Sequence, residues 1–505
     1  MGKKSSFALS LVISRLEDIM EKIINSNVLK ELFQKSTDVL IRPINIKSDY
    51  NLTVSLFCVD GMVNSQVLDT TILRPLATEA GVKDCKTEEE LENYLLNCGG
   101  AYHAFGSETD DFNQLITCVM SGMLGLIFDN LQKAILFDVR TFDKRSVSEP
   151  SEEGVLKGAK DSFIEVLRTN TMLIRRRIRS PYLVVEQMYV GKLSRTDVAL
   201  VYLTNVCDLN LVDQIRKKLQ AIDIDNIAAA SFIEEFIIEN KDSLMPQIMY
   251  TQRPDRCCSN LTDGRIALIV DGIPFVYVLP CQLPMLLQSP EDYSDNFIAS
   301  SAFRALRYAT MLLSVLLPGF YIAITTFHNQ LLPVQMIVSI QQAKINVPFS
   351  SFVEVLGLLL SFEILIEAGL RLPKPVGQAM SIVGGLVVGQ AAVSANIISP
   401  VVVIVVALTG IAGFTVPNSD LAITVRVSRF VLGILSGLAG FFGLMVGVIF
   451  ILLHLCSLEN FGVAYLAPFV DVKSMELQDT IFRFPIHDFK FRPDGLATKN
   501  PRKQK

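Results

Sequence analysis

The sequence contains no Gly-x-x-x-x-Gly-Lys-Ser/Thr phosphate loop, no Gly-x-Ser-x-Gly elbow and no His-Glu-x-x-His motif. Its four histidines, His103, His328, His454 and His487, are far apart, which argues against a histidine-rich metal site. No nucleophile has a recognisable base beside it, so a membrane hydrolase is a distant reading. No catalytic residue, metal or cofactor is expected. Nine cysteines occur without a Cys-x-x-Cys pair, and an odd, irregular set points to reduced thiols rather than a disulfide framework. Cys257 and Cys258 are adjacent; the plain reading is two loop thiols, the sharper one a redox or metal role. A net charge of −5 lacks the basic field that nucleic-acid binding needs. Nothing at the N-terminus reads as a signal peptide, so the first part of the chain is expected in the cytosol. Met1-Gly2 with Ser6 matches an N-myristoylation pattern, but spanning helices already supply membrane attachment.

What the sequence does have is apolar length. Half of its 505 residues are hydrophobic, and the mean hydropathy is +0.39. The apolar residues concentrate between about Arg304 and Cys456. Five segments, about 308–327, 350–370, 377–396, 398–416 and 430–455, approach the ~20 residues that cross a ~30 Å hydrocarbon core. Leu331–Ala343 is shorter and broken by Gln335, Gln341 and Gln342, as an interfacial or re-entrant piece would be. Arg304 and Arg307 precede the first span, and Lys499, Arg502, Lys503 and Lys505 lie in the tail; both ends therefore favour the cytosol. Two cytosolic ends need an even number of crossings. Either Leu331–Ala343 contributes one, or the last apolar run is broken. Small residues spaced for close helix contact recur at Gly385 and Gly389, Gly433 and Gly437, Ser436 and Gly440, and Gly443 and Gly447. No inverted repeat is visible in this third, which weighs against a secondary transporter.

Charge inside the apolar third is the more specific signal. Glu354, Glu363 and Glu367 fall in one span, and carboxylates there face protein or water. Glu363 and Glu367 share one helical face, and Glu354 lies about half a turn away. Glu367 is four residues from Arg371, so an interfacial ion pair is its plain reading. Glu363 has no such neighbour; it lines an aqueous path, or it pairs with another helix or subunit. A ring of such carboxylates around an axis would favour cations.

The first 300 residues look duplicated. Val54–Gly61 and Val198–Asn205 are strand-like and about 144 residues apart, and Val39–Ile41 faces Leu183–Val185 at the same offset. Leu126–Asn130 and Leu268–Gly272 repeat at about 142, each running through an Asp-led turn into a second apolar strand. The expected fold is thus an α/β soluble head of two tandem related subdomains followed by an all-α polytopic transmembrane bundle. The expected boundaries are 1–145, 146–290, a coupling linker 291–304, a membrane module 305–456 and a cytosolic tail 457–505. Val155–Arg179 is expected to be helical, and its basic end, Arg175-Arg176-Arg177-Ile178-Arg179, is a solvated face, a partner for the acidic stretch Glu149–Glu153, or a contact for anionic lipid headgroups.

A long ordered signature runs through the chain. Arg145-x-x-x-Glu149-Pro150-x-x-Glu153 leads to Gly158, Phe163, Glu165, Asn170 and Leu173-x-Arg175-Arg176-Arg177-Ile178. Thr251-x-Arg253-Pro254-Asp255, Val270-Asp271-Gly272-x-Pro274-Phe275 and Ser289-Pro290-Glu291-Asp292-Tyr293 follow. Glu367–Pro373 and Ser381–Val393 close the series. Over about residues 50–470 this resembles the A subunit of GerA-type spore germinant receptors. Lys157, Ala159, Ser162 and Gln252 depart from the family's usual residues. The resemblance implies a non-enzymatic component of a receptor in the spore inner membrane, beside a transporter-like B subunit and a lipoprotein C subunit. It also implies a homo-oligomeric ring whose helices conduct cations. Glu363, with Glu354 and Glu367 behind it, is then the ion-path candidate. Arg175, Arg176, Arg177, Glu149, Arg304, Arg307 and Arg371 are the assembly or gating candidates. The alternative is a non-conducting scaffold that docks the other two subunits.

Overall fold

The computed structural model describes residues 23–504 except 47–49, 51, 98–105, 141–149, 151–152, 156, 228, 374–388, 471–475 and 497. They form two compact units. The first holds the described residues up to Ile238, Tyr250–Pro280 and the segment from Lys490; the second holds Glu239–Met249 and Cys281–Phe489. The tail expected over 457–505 therefore divides between the two.

The first unit carries two five-stranded sheets with one plan. β1 (Val39–Asn45), β2 (Thr53–Val59), β3 (Gly106–Thr109), β4 (Leu124–Phe128) and β5 (Lys133–Phe137) are ordered β1-β2-β4-β5-β3. β6 (Leu183–Val190), β7 (Thr196–Leu203), β8 (Met249–Thr251), β9 (Ile266–Val270) and β10 (Val276–Leu279) are ordered β6-β7-β9-β10-β8. The hairpins β1/β2, β4/β5, β6/β7 and β9/β10 are antiparallel. Strand order is a stronger sign of duplication than the weak sequence repeat, because it does not depend on which apolar residue fills each position.

The helices repeat as well. α1 (Ser26–Leu32) opens the first half and α3 (Leu167–Arg177) the second; α2 (Phe112–Met120) and α5 (Pro254–Thr262) precede β4 and β9. α4 (Leu209–Gln220) follows β7. Each opening helix is capped by the aspartate of its own hairpin turn. Asp129 accepts from the Ser26 amide at 2.6 Å, and Asp271 accepts from the Leu167 amide at 3.0 Å. A carboxylate there satisfies an orphan amide and meets the positive end of the helix dipole.

The two halves share a core. Phe57, Val59, Leu115, Leu173, Val185, Ala199, Leu261 and Ile269 belong to one buried cluster. Alternate residues of β2 turn the other way: Val54, Leu56 and Cys58 join Ile72, Leu91, Leu126 and Phe137. β2 is thus covered on both faces, which is why Leu56-Phe57-Cys58-Val59 is apolar without alternation. Helix before α3 does not extend back to Val155, contrary to expectation. The Phe163 amide donates to the Gln252 carbonyl at 2.7 Å, and the Asn170 side chain bonds both the amide and the carbonyl of Ile164. Those bonds commit the strap to extended backbone.

The second unit is helical: α6 (Phe297–Thr326), α7 (Val334–Lys344), α8 (Ser351–Arg371), α9 (Pro400–Gly413) and α10 (Ser419–Ser457). Asn296, Ser350, Ser399 and Asn418 cap α6, α8, α9 and α10 through their side chains. α6 and α10 are long and apolar enough to cross a membrane. The expected span 377–396 lies mostly outside the described residues.

α10 is not one rod. Ala439 and Gly440 leave helical geometry, Gly440 at φ +60°, and the chain turns back on itself. A Cβ on Gly447 would collide with Leu432 Cδ2, and one on Gly443 with the Leu435 carbonyl oxygen. Two antiparallel segments therefore pack through glycines, each about 25–30 Å long at ~1.5 Å per residue. α8 runs antiparallel to the first segment. Phe352 fills the space beside Gly437, Leu356 lies against Gly433, and Glu363 meets Arg426.

Candidate functional site

The apolar helices of the second unit carry several charged groups, and Glu354, Glu363 and Glu367 each have a cation of the same chain beside them. Glu363, on α8, meets two arginines of α10. It forms an ion pair with Arg429 and a second with Arg426 at 3.2 Å. The Arg429 side chain is 1% exposed and that of Glu363 21%. A Cβ on Gly413, the last residue of α9, would stand 3.8 Å from the Arg429 guanidinium and 3.2 Å from Ser314 Oγ of α6, and Ser314 donates to the Thr409 carbonyl of α9 at 3.1 Å. Arg429 thus stands where four helices meet. One carboxylate faces two guanidiniums, so the cluster carries a net positive charge.

Glu354 points elsewhere, as its half-turn offset requires. Its side chain is fully buried, and one oxygen accepts from the Ser399 amide at 2.8 Å at the start of α9. The other faces the Lys344 ammonium at 3.0 Å. Glu367 and Arg371 form an exposed pair at 2.6 Å. Such a pair contributes little to stability.

Arg304 and Arg307 belong to a buried hub at the start of α6. Arg304 bonds Asp292 at 3.1 Å and Asp479 at 2.7 Å, and Arg307 bonds Asp292 at 3.0 Å. Asp479 comes from far along the chain, so the stretch after α10 folds back onto the linker before α6.

In the first unit the basic cluster divides. Arg175 is fully buried and makes a two-pronged bond to Asp38, at 2.7 and 2.8 Å. It ties the second half to the first. Arg177 pairs with Asp161 at 2.6 Å, and Arg176 is exposed. Of the acidic stretch, Glu153 bonds Arg256 at 2.5 Å and Thr251 at 2.5 Å. Glu149 and Glu152 lie outside the described residues.

Cys257 and Cys258 sit on α5, not in a loop, and both are buried. Burial pushes the Cys258 thiol up to about 12 and Cys257 well above its ordinary value. Thiols held protonated in this way are poor nucleophiles and poor ligands. Among the described residues no group of three or more His, Cys, Asp or Glu is placed to hold a metal ion.

Reading the sequence missed Arg426 and Arg429. The last span was placed at 430–455, which begins just beyond them. Two arginines three positions apart inside an apolar stretch were the available signal, because a charge in that setting needs an opposite charge from another helix.

Comparison with known proteins gives consistent matches along the chain. The family model described as Bacillus/Clostridium GerA spore germination protein matches residues 27–495. Spore germination protein KA of Bacillus subtilis (strain 168) is 36% identical over 469 residues, 93% of this chain and 85% of that one. Spore germination protein B1 of the same organism is 36% identical over 470 residues, 93% of this chain and 96% of that one. The crystal structure of the N-terminal domain of the A subunit of the Bacillus megaterium spore germinant receptor GerK3 covers 51% of this chain and 96% of that one, at 27% identity and a TM-score of 0.41.

Proposed function

This chain belongs to the Bacillus/Clostridium GerA spore germination protein family, and from that premise we propose that it is the A subunit of a nutrient germinant receptor in the spore inner membrane. It works there with a transporter-like B subunit and a lipoprotein C subunit. It performs no catalysis. The observation that carries this reading is the near full-length match, which takes in both the duplicated unit and the helical one.

The finer reading is an oligomer whose membrane helices release cations on germination. The reversal at Ala439–Gly440 supports a multi-pass arrangement with both ends on the cytosolic side: it splits the last apolar run, which the even count of crossings requires. Glu363 is then held by Arg426 and Arg429 in a closed state, and opening exchanges those partners. A nutrient bound by a partner subunit shifts this equilibrium only through its differential affinity for the two states. The hub of Arg304, Arg307, Asp292 and Asp479 supports a coupling role for the linker before α6.

A scaffold reading is favoured by one observation. Glu354, Glu363 and Glu367 are each neutralised within the chain, which suits a bundle built to hold partners rather than ions. Spores carrying Glu363→Gln separate the two. With the receptor assembled, conduction predicts altered potassium release after nutrient; unchanged release leaves the scaffold.

A further inference from the structure

The Lys344–Glu354 pair is unlike the others in the second unit, because its cation sits on a lightly held element. Lys344 is the last residue of α7, and no residue of that helix is buried. Val334, Met336 and Val338 are all about half exposed or more. The Lys344 ammonium reaches past this to donate to Ser351 Oγ and to face Glu354. Its carboxylate partner is fixed on both sides of the chain: it lies in the first turn of α8, and the amide that opens α9 donates to it.

Around that carboxylate lie oxygens with capacity left over. Glu354 Oε1 faces the ammonium without a well-aligned hydrogen bond. The Tyr321 hydroxyl is buried beside Ser399 and within electrostatic reach of Glu354, and it makes no well-aligned hydrogen bond. Ser351 and Ser399 bring two more hydroxyls. Buried polar atoms left in this state are uncommon, and they mark places where a ligand or ion completes the set. The donors are hard oxygens, which suit alkali and alkaline-earth cations. The site holds one negative charge, so a single positive charge balances it and a double one does not.

We infer that Glu354, Ser351, Tyr321 and Ser399 form a monovalent-cation site, and that Lys344 occupies it with a tethered ammonium in place of a free ion. Ammonium and potassium carry the same charge and are close in size. Movement of α7 withdraws the ammonium and leaves a buried carboxylate, which is strongly unfavourable until an ion replaces it. Lys344 is in this sense a built-in competitor for the permeant ion. The inference rests on the conduction reading, in which Glu354 is an ion-path candidate, and adds the ligand class and the means of regulation.

The test uses the full chain in lipid nanodiscs. Thermal unfolding of Lys344→Met and Lys344→Gln is followed in potassium chloride and in choline chloride at equal ionic strength. The unfolding midpoint of both variants is expected to rise with potassium and saturate, and not to rise with choline. Wild type is expected to be indifferent to the choice, and so is Lys344→Met combined with Glu354→Gln. Variants that behave alike in the two salts, or that stay unfolded in both, overturn the site; so does a potassium response that survives Glu354→Gln. Because the readout is stability, absent flux with an intact potassium response defeats conduction and leaves the site standing.

Discussion

Gly447 lies against Leu432, about 15 positions earlier in the same apolar run: a Cβ on Gly447 would collide with Leu432 Cδ2. In a continuous helix the two would be ~22 Å apart at ~1.5 Å per residue. The reversal at Ala439–Gly440 is what brings them together. Leu432→Cys with Gly447→Cys is therefore expected to be joined within one chain by a short bifunctional thiol cross-linker, which could not span the distance in a continuous helix. Mass spectrometry of the linked peptides checks this. Absence of the link, with each single cysteine reactive, would mean an unbroken helix.

Glu363 and Arg429 form an ion pair between two apolar helices, and their removal one at a time has a defined cost. Glu363→Gln leaves Arg429 buried without its countercharge. Breaking a buried pair from one side typically costs ~3–5 kcal/mol. Arg426 remains close by as a second positive charge, so no other group compensates. Glu363→Gln combined with Arg429→Gln is expected to recover most of the loss. Unfolding midpoints in detergent for the two single variants and the double one measure this coupling.

Arg175 and Asp38 hold the two halves of the first unit together through a buried two-pronged bond. Asp38→Ala is expected to destabilise that unit by ~3–5 kcal/mol for the same reason. Hydrogen exchange on the full chain should show β1 and α3 losing protection together. Loss confined to the residues around position 38 would mean that the shared apolar core alone joins the halves.

The cysteines give a pH prediction. Burial raises the Cys58 thiol to about 11 and the Cys207 thiol to about 12, against ~8.5 for a free cysteine. A raised acid keeps its proton in the folded state while the unfolded chain loses it. The unfolded state then binds fewer protons above pH ~8.5, so stability falls as pH rises past that value. At pH 8 alkylation should label the exposed Cys456 well before Cys58, Cys207, Cys257 or Cys258. Equal labelling would show that these thiols are not buried.

The duplicated fold was legible because both copies keep the same Asp-led turns. Asp129 and Asp271 were visible as turn residues; that each caps the helix opening its half was not, because Ser26 and Leu167 are about 100 positions away. The membrane carboxylates were legible as costly charges. Arg371 was legible as the partner of Glu367, but the partners of Glu354 and Glu363 were not, since Lys344, Arg426 and Arg429 are brought to them only by helix packing. The glycines at 443 and 447 announced a close contact, but nothing in their spacing says that the contact is with the same run. The basic run Arg175–Arg179 divides in a way the spacing does not show: Arg175 turns inward to Asp38, Arg177 pairs with Asp161 and Arg176 is exposed.

The most direct measurement is cation flux through the purified full chain reconstituted in liposomes, with Glu363→Gln beside it and folding and oligomeric state checked for both. The account predicts cation-selective flux from wild type once the partner subunits and nutrient are present, and a change in that flux with the substitution. No flux from correctly folded oligomers with the partner subunits and nutrient present would contradict it.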